Sequence, residues 1–398
     1  MANIPPEIRF IYLASLPCPT PRQCKEIADI ALEVKDWELV WTTCRGHGTL
    51  PLLARNLKLF NDPIPQDIQH GIRNFSLQNA ARSLYHTGVL FKLLDVLEEK
   101  SILCVPFKGP LLAQLAYDDF SLRSYCDLDL LIFEDDLCRT AQILEQQGFK
   151  PELVCDSDGL RAFAKTEDNL TFVRSSDDIM VEVHWELSGC YLTRALGLAE
   201  MESRLLPFSV ANRSVQSFCW EDLIVYLSIH GAKHQWQRLE WIYSFGEIVR
   251  RGEKRVDWPM ILTLAEGWRC QRMLMLGLLL VKDIAGVDLP ECLLRRIEQD
   301  PSIAGLAANV QAGLFELEGG LGNTEKWVRF SNFHLQVRDS YVDVFQYGLR
   351  LLFSPTLKEW QRWPLPPSMR YLYCILRPIR IGLDFLSRMN KSKVHFGQ

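Results

Sequence analysis

Apolar positions in the first hundred residues recur at helical spacing. In 21–34 they are Ile27, Ile30, Ala31 and Val34, one face of a 3.6-residue period. Asp36 is placed to cap a helix from Trp37 through Cys44, and Thr49-Leu50-Pro51 opens another. In 65–100 the stripe Ile68, Ile72, Phe75, then Leu90, Leu93, Leu94 and Leu97 predicts one long helix or a broken pair, with Gly88 its weak point. At 103 the period changes. Residues 103–107 make a short apolar strand, Lys108-Gly109 turns the chain, and Pro110 suits the first helical position. Leu111, Leu112, Leu115 and Ala116 give that helix its apolar face, and Asp127-Leu128-Asp129-Leu130 then alternates as a strand does.

An amphipathic helix over 135–147, closed by Gly148, follows the strand. Residues 149–154, 160–165, 170–174 and 179–185 read as further short strands, with Asp177-Asp178 a hairpin turn. From 192 the pattern is helical again, over 217–234, 239–251, 259–264, 272–284, 290–299 and 303–317. The run 318–323 is the most glycine-rich in the chain. A helix precedes it where a phosphate cradle needs a strand, so it reads as a hinge or mobile loop. The last segment, 326–388, is helical with breaks at 352–357 and 363–367. Strand, helix, strand and a small meander suit a minimal mixed sheet and not a doubly wound one. The expected fold class is α+β, a small mixed-sheet core flanked by N-terminal and C-terminal helical subdomains. The expected boundaries are 1–100, 101–190, 191–325 and 326–398.

Composition changes this picture little. A hydrophobic content of 48% with 23% charged residues is ordinary for a globular chain. A net charge of −5 gives no global basic footprint, which disfavours a polynucleotide partner and leaves a local basic cleft open. The twelve cysteines include no C-x-x-C, so neither a zinc ribbon nor a redox dithiol is indicated. Residues 1–20 show no basic region followed by an apolar run, so no secretion signal is expected, and the longest apolar run, 273–281, falls short of a membrane span. A cytoplasmic protein is expected. Neither G-x-G-x-x-G nor G-x-x-x-x-G-K-S/T is present.

The candidate chemistry lies in the alternating strand. Asp127 and Asp129 point the same way, and two carboxylates that close repel unless a cation lies between them or one is protonated. A hard divalent ion with oxygen ligands is the usual solution; a solvated strand end is the plain alternative. Glu182, between Val181 and Val183, is a third carboxylate in an unfavourable place for a lone charge. It either completes a cluster with the two aspartates or sits with His184 on an exposed sheet face.

Taken together, Lys108-Gly109 opening a helix, Arg123, the D-L-D-L strand and the later V-E-V-H-W resemble the nucleotidyltransferase superfamily of polymerase-β type. More narrowly they resemble a bacterial family within it, the uncharacterised nucleotidyltransferases, or fifth NTP-transferase family. Asp36-Trp37-Glu38 with His47-Gly48, residues 230–241 and the 365–378 tail also sit where that family has similar residues. The resemblance implies a metal-dependent transfer of an NMP from an NTP, ATP among the candidates. The acceptor is a hydroxyl or phosphate on a small molecule, saccharide or protein, and pyrophosphate is released. It implies Mg²⁺, or Mn²⁺ in its place, with Asp127 and Asp129 shared by two ions. Glu182 would bind one ion and orient, or deprotonate, the acceptor hydroxyl.

The same resemblance implies phosphate-binding roles for Lys108 and Gly109, which stand where the wider superfamily has Gly-Ser. Lys108 is otherwise a surface-turn lysine. Arg123 either steers triphosphate oxygens or braces Asp127 through a salt bridge. His184 contacts substrate or a carboxylate. His230 and His234, i and i+4 with Lys233 beside them, border the nucleotide by this analogy. As a zinc pair they lack both the H-E-x-x-H glutamate and a third ligand, and buried or surface histidines remain the plain reading. His47 is either part of the site or an ordinary turn histidine. Arg370, Arg377, Arg380 and Arg388 form a basic stripe that faces either an anionic surface or water. One departure stands out: the family commonly has an aspartate where this chain has Ser244. That departure motivates the alternative, a catalytically impaired nucleotide-binding regulator or scaffold.

Overall fold

The computed structural model describes residues 4–59, 64–188, 193, 196–314 and 331–395, with side chains up to 384. The glycine-rich run 318–323 and the Arg388 side chain lie outside the described residues.

Five helices come first: α1 (Pro6–Ala14), α2 (Pro21–Ala31), α3 (Trp37–Gly46), α4 (Leu50–Asn56) and α5 (Gln66–Glu99). Asp36 caps α3 by accepting the Leu39 N–H at 2.8 Å, as its position before the apolar run predicts. The stripe of 65–100 forms one continuous helix, Gly88 included. Then come β1 (Val105–Pro106), α6 (Gly109–Tyr117), β2 (Asp127–Leu131), α7 (Leu137–Gln146), β3 (Lys150–Pro151), α8 (Ser157–Ala164), β4 (Asn169–Arg174) and β5 (Ile179–His184). These strands form one five-stranded sheet in the order β1-β2-β5-β4-β3. The β4–β5 hairpin is antiparallel and sets Thr171 opposite Glu182 and Asn169 opposite His184. Asp178, at φ 53°, makes its turn.

A second, two-stranded sheet pairs β6 (Leu206–Val210) with β7 (Arg213–Ser217). The rest is helical: α9 (Trp220–Lys233), α10 (Leu239–Gly252), α11 (Trp258–Gly267), α12 (Gln271–Ala285), α13 (Glu291–Gln299), α14 (Pro301–Gly313), α15 (Asn332–Gln336), α16 (Tyr341–Phe353), α17 (Leu357–Arg362) and α18 (Tyr373–His395). The protein is α+β, a mixed five-stranded sheet flanked by helices.

Two expectations are corrected. Residues 160–165 were expected to form a strand, yet 160–164 belong to α8 and Lys165 is its C-cap. Asp156 caps that helix through the Gly159 N–H at 2.7 Å, and Leu160, Phe163 and Ala164 fall on one buried face. The chain was expected to turn helical again from 192, but β6 and β7 come before the first of the expected helices. Ala211 and Asn212, at φ 46° and 65°, form the two-residue turn that lets those strands pair.

The chain forms two compact units. One comprises Met1–Leu94, Val105–Asp129 and Ser203–Asp339. In it α10 packs on α6, α9 and α12, and the apolar run 273–281 fills α12 as buried core. The other comprises Asp95–Cys104, Leu130–Glu202 and Ser340–Gln398. Its core includes Phe163, edge-on to both Trp185 and Trp360, with Trp360 in turn 4.5 Å from Tyr373. Trp185 donates its indole N–H to the Ala164 and Glu167 carbonyls, which explains a tryptophan at a strand end. Among the described residues no helix is long and apolar enough to cross a membrane.

Candidate functional site

The Lys-Gly turn is shaped by backbone constraint. Gly109 has φ +53°, and a Cβ there would stand 3.3 Å from the Asp127 carbonyl oxygen, so the start of α6 can lie directly against β2. The turn delivers Lys108 to β2: its Nζ is 2.8 Å from Asp129 Oδ1, with the lysine side chain 12% and the aspartate side chain 1% exposed. Lys108 is therefore not a surface-turn lysine. Its ammonium also lies 5.4 Å from the Phe107 ring and 5.8 Å from the Tyr226 ring. Burial drives the Tyr226 phenol up to about 12, with the Lys108 charge pulling the other way.

On β2 the apolar partners Leu128 and Leu130 are buried, as alternation requires, while Asp127 is half-buried and Asp129 buried. β5 is the hydrogen-bonded neighbour of β2 in the sheet. Glu182 is half-buried on it. Its Oε2 lies 3.4 Å from His184 Nε2 and accepts from Asn169 Nδ2 at 3.4 Å. One oxygen of Asp129, one of Glu182 and one ring nitrogen of His184 fall within 4.8 Å of one another. Among the described residues this is the one group of three with metal-ligand geometry, and Asp127 is outside it. Two carboxylates and an imidazole are a donor set that fits a divalent cation. His184, expected to contact substrate or a carboxylate, is a member of this group and lies against the Glu182 carboxylate.

Arg123 has a partner that sequence reading missed. Its Nε donates to Glu240 Oε1, and both residues are buried. Burial opposes the guanidinium charge, but Glu240 outweighs it and Asp127 adds in the same sense, so the pKa is raised. Ser244, the position of the family departure, donates to Glu240 Oε1 at 3.1 Å and lies 3.0 Å from the Tyr117 hydroxyl. No local signal marked Glu240: only the fold shows that α10 is buried nearly all round, where a carboxylate in its first turn needs a cation.

His230 and His234 pack together, with ring centroids 4.8 Å apart, and both lie against Trp241 at 5.6 and 5.1 Å. Tyr226 stacks on His230 at 6.1 Å. Burial, then the charges of Lys233 and Lys108, hold the His234 imidazole down at about 3; His230 is likewise held well below its ordinary value. Neither belongs to the three-ligand group. His47 is buried, its imidazole lowered to about 4 by burial, and its carbonyl accepts the Glu240 N–H at 3.3 Å. The Gly48 beside it, at φ +70°, lets the chain pass where a Cβ would meet Glu240 Cβ at 3.3 Å.

The basic stripe of the C-terminal helix is corrected. Arg377 and Arg380 are buried against Glu359, so these two face neither a surface ligand nor plain solvent, while Arg370, half-buried ahead of α18, meets the exposed Asp156 at 3.2 Å.

Comparison with known proteins gives one family. The sequence model of the family described as uncharacterised nucleotidyltransferase matches residues 33–286. No curated protein matches. A solved structure that this chain resembles is the solution structure of the antibiotic-resistance factor ANT(2'')-Ia, at 13% identity and a TM-score of 0.33. The match covers 46% of this chain and 91% of that one.

Proposed function

We propose that this chain, which belongs to the uncharacterised nucleotidyltransferase family, is a working transferase that moves an NMP from an NTP to a hydroxyl or phosphate acceptor. Pyrophosphate leaves. ATP is among the donors, the acceptor is a small molecule, saccharide or protein, and the setting is the cytoplasm. The observation that carries the reading is the grouping of Asp129, Glu182 and His184, with Lys108 on the first of them.

Asp129, Glu182 and His184 would hold a divalent cation, Mg²⁺ or Mn²⁺, with Asp127 contributing from the same strand. Such a cation polarises phosphoryl oxygens and makes a hydroxyl acidic at neutral pH. The protein's own part is positional. Glu182, supported by Asn169, accepts the acceptor's hydroxyl proton or orients that hydroxyl. Lys108 carries positive charge on a flexible stem and can pass from Asp129 to a phosphate oxygen. The guanidinium of Arg123 offers a planar fork suited to phosphate. Lys233 brings further positive charge, with His230 and His234 as neutral imidazoles beside it. The domain reading that assigns 101–190 to nucleotide chemistry and 191–325 to completing the cleft belongs to the same proposal.

The test is pyrophosphate release and product mass from labelled NTPs, Mg²⁺ or Mn²⁺ and cell extract. Wild type should release pyrophosphate and label an acceptor, while Asp129→Asn and Glu182→Gln fall to background. Nucleotide binding by calorimetry without any release would establish the impaired regulator instead. Absence of both binding and release would end the reading.

A further inference from the structure

We infer that Glu240 is a positioning residue that fixes the Arg123 guanidinium for a polyphosphate. The inference rests on the nucleotidyl-transfer reading and goes beyond it in naming the group that sets the arginine's aim.

The backbone around Arg123 is tied down first. Asn79 on α5 donates its side-chain amide to the carbonyls of Ser121 at 2.7 Å and Arg123 at 3.1 Å, and Arg82 donates to the Tyr125 carbonyl at 2.9 Å. The side chain is tied second, by Glu240 from the first turn of α10. Glu240 is itself held from two directions, with a third contact behind one of them. Ser244 donates to Oε1 from one turn further along, Tyr117 reaches Ser244 from α6, and the His47-Gly48 turn contacts Glu240 through backbone and close approach. Arg123, Glu240, Ser244 and Tyr117 are all less than a tenth exposed.

Stability alone does not account for this arrangement. A buried ion pair is often no better than apolar side chains of the same volume, because both ions lose their water. Arg123 comes four residues before Asp127 and six before Asp129, and the Asp127 charge acts on it. An arginine is rotamer-rich, and binding is weakened by whatever freedom must be frozen at that moment. With Nε engaged by Glu240, the fork is set in advance.

The experiment is calorimetric titration of inorganic tripolyphosphate and of ATP with Mn²⁺ into wild type and variants, with Tm measured alongside. Glu240→Gln removes a negative charge near a bound anion, so simple electrostatics predicts equal or tighter binding. Positioning predicts the reverse, a loss of about tenfold. The double variant Glu240→Gln/Ser244→Asp returns a carboxylate one helical turn away, within reach of the same guanidinium, and should recover most of that loss. Unchanged or tighter binding in Glu240→Gln, with or without a lower Tm, overturns the inference and leaves the transfer reading intact. If Glu240→Gln proves too unstable to titrate, Glu240→Asp takes its place; it should bind more weakly than wild type, and wild-type affinity in it overturns the inference. No binding by wild type overturns both readings.

Discussion

Glu359 and Glu240 are both carboxylates buried beside arginine, and they are built to different ends. Glu359, in the second unit, is 0% exposed. Its Oε2 accepts from the Thr356 N–H at 2.6 Å and the Thr356 hydroxyl at 2.7 Å, and faces Arg377 at 3.4 Å. Its Oε1 takes Arg380, which also reaches Asp384 at 2.6 Å. Every one of these partners lies on α17, α18 or the turn before α17, so the network ties one helix to the next. Glu240, in the first unit, also holds an arginine, but that arginine leads into the strand of Asp127 and Asp129. A buried ion pair is thus no mark of function in itself. What separates the two is whether the chain of contacts ends on more protein or on groups that a ligand can engage.

Removing the closed network's centre should give the largest effect. Glu359→Ala leaves two buried guanidinium groups without their carboxylate, a change that costs about 3–5 kcal/mol. Urea unfolding should show that loss, while nucleotide affinity per folded molecule stays at the wild-type value. Replacing Glu359, Arg377 and Arg380 together by methionine should restore most of the stability, because no buried charge then remains. Loss of nucleotide affinity in Glu359→Ala would break the comparison.

Neither of these networks was legible in the sequence, whereas the carboxylates of the candidate site were. Asp127-Leu128-Asp129-Leu130 announces itself through alternation, Glu182 through its valine neighbours, and Asp36 through its place before an apolar run. All three signals are local. Arg123 and Glu240 are 117 residues apart, and nothing short of the fold brings them together. Arg377 and Arg380 looked like a solvent-facing stripe because helical periodicity shows which residues share a face, not what covers that face. Residues 160–165 misled because a short apolar run does not declare its period. The cap at Asp156 was the available signal, and the structure uses it.

Acid should separate the two units in turn. In the first unit His234 and His47 have folded pKa values of about 3 and about 4, both below the ordinary 6.5. Between those values and 6.5 the unfolded chain binds protons that the folded chain refuses, so stability falls as pH drops below 6.5. Glu359 works lower down. Burial opposes its charge, but Arg380, Thr356 and Arg377 prevail and hold its carboxyl below 4.5, so its contribution is lost only as pH falls below about that value. One such histidine accounts for about 1.4 kcal/mol between pH 7.5 and 5.5. Urea unfolding of wild type and His234→Gln at those two pH values measures it, and the variant should lose that much less. Equal losses in the two proteins would mean that His234 is not held neutral.

An effect no larger than the histidine's is expected at Lys108, whose pairing with Asp129 a ligand should be able to open. Its ammonium lies 2.8 Å from Asp129, where it neutralises a carboxylate of the proposed cation site. Glu359 is clamped by rigid guanidinium forks on a neighbouring helix. Lys108 holds Asp129 from the end of a four-carbon stem, and the bond can break without moving an element. A cation seeking Asp129 must therefore compete with it. Lys108→Met should tighten Mn²⁺ binding in the absence of nucleotide by about tenfold, about 1.4 kcal/mol, and weaken tripolyphosphate binding in the presence of Mn²⁺. Spectroscopic Mn²⁺ titration at pH 8 reads the first change and calorimetry the second. Opposite shifts in one variant mean that the same lysine serves the carboxylate before the nucleotide arrives and the phosphate afterwards. Parallel losses would make Lys108 another fixed brace, of the kind Glu359 shows.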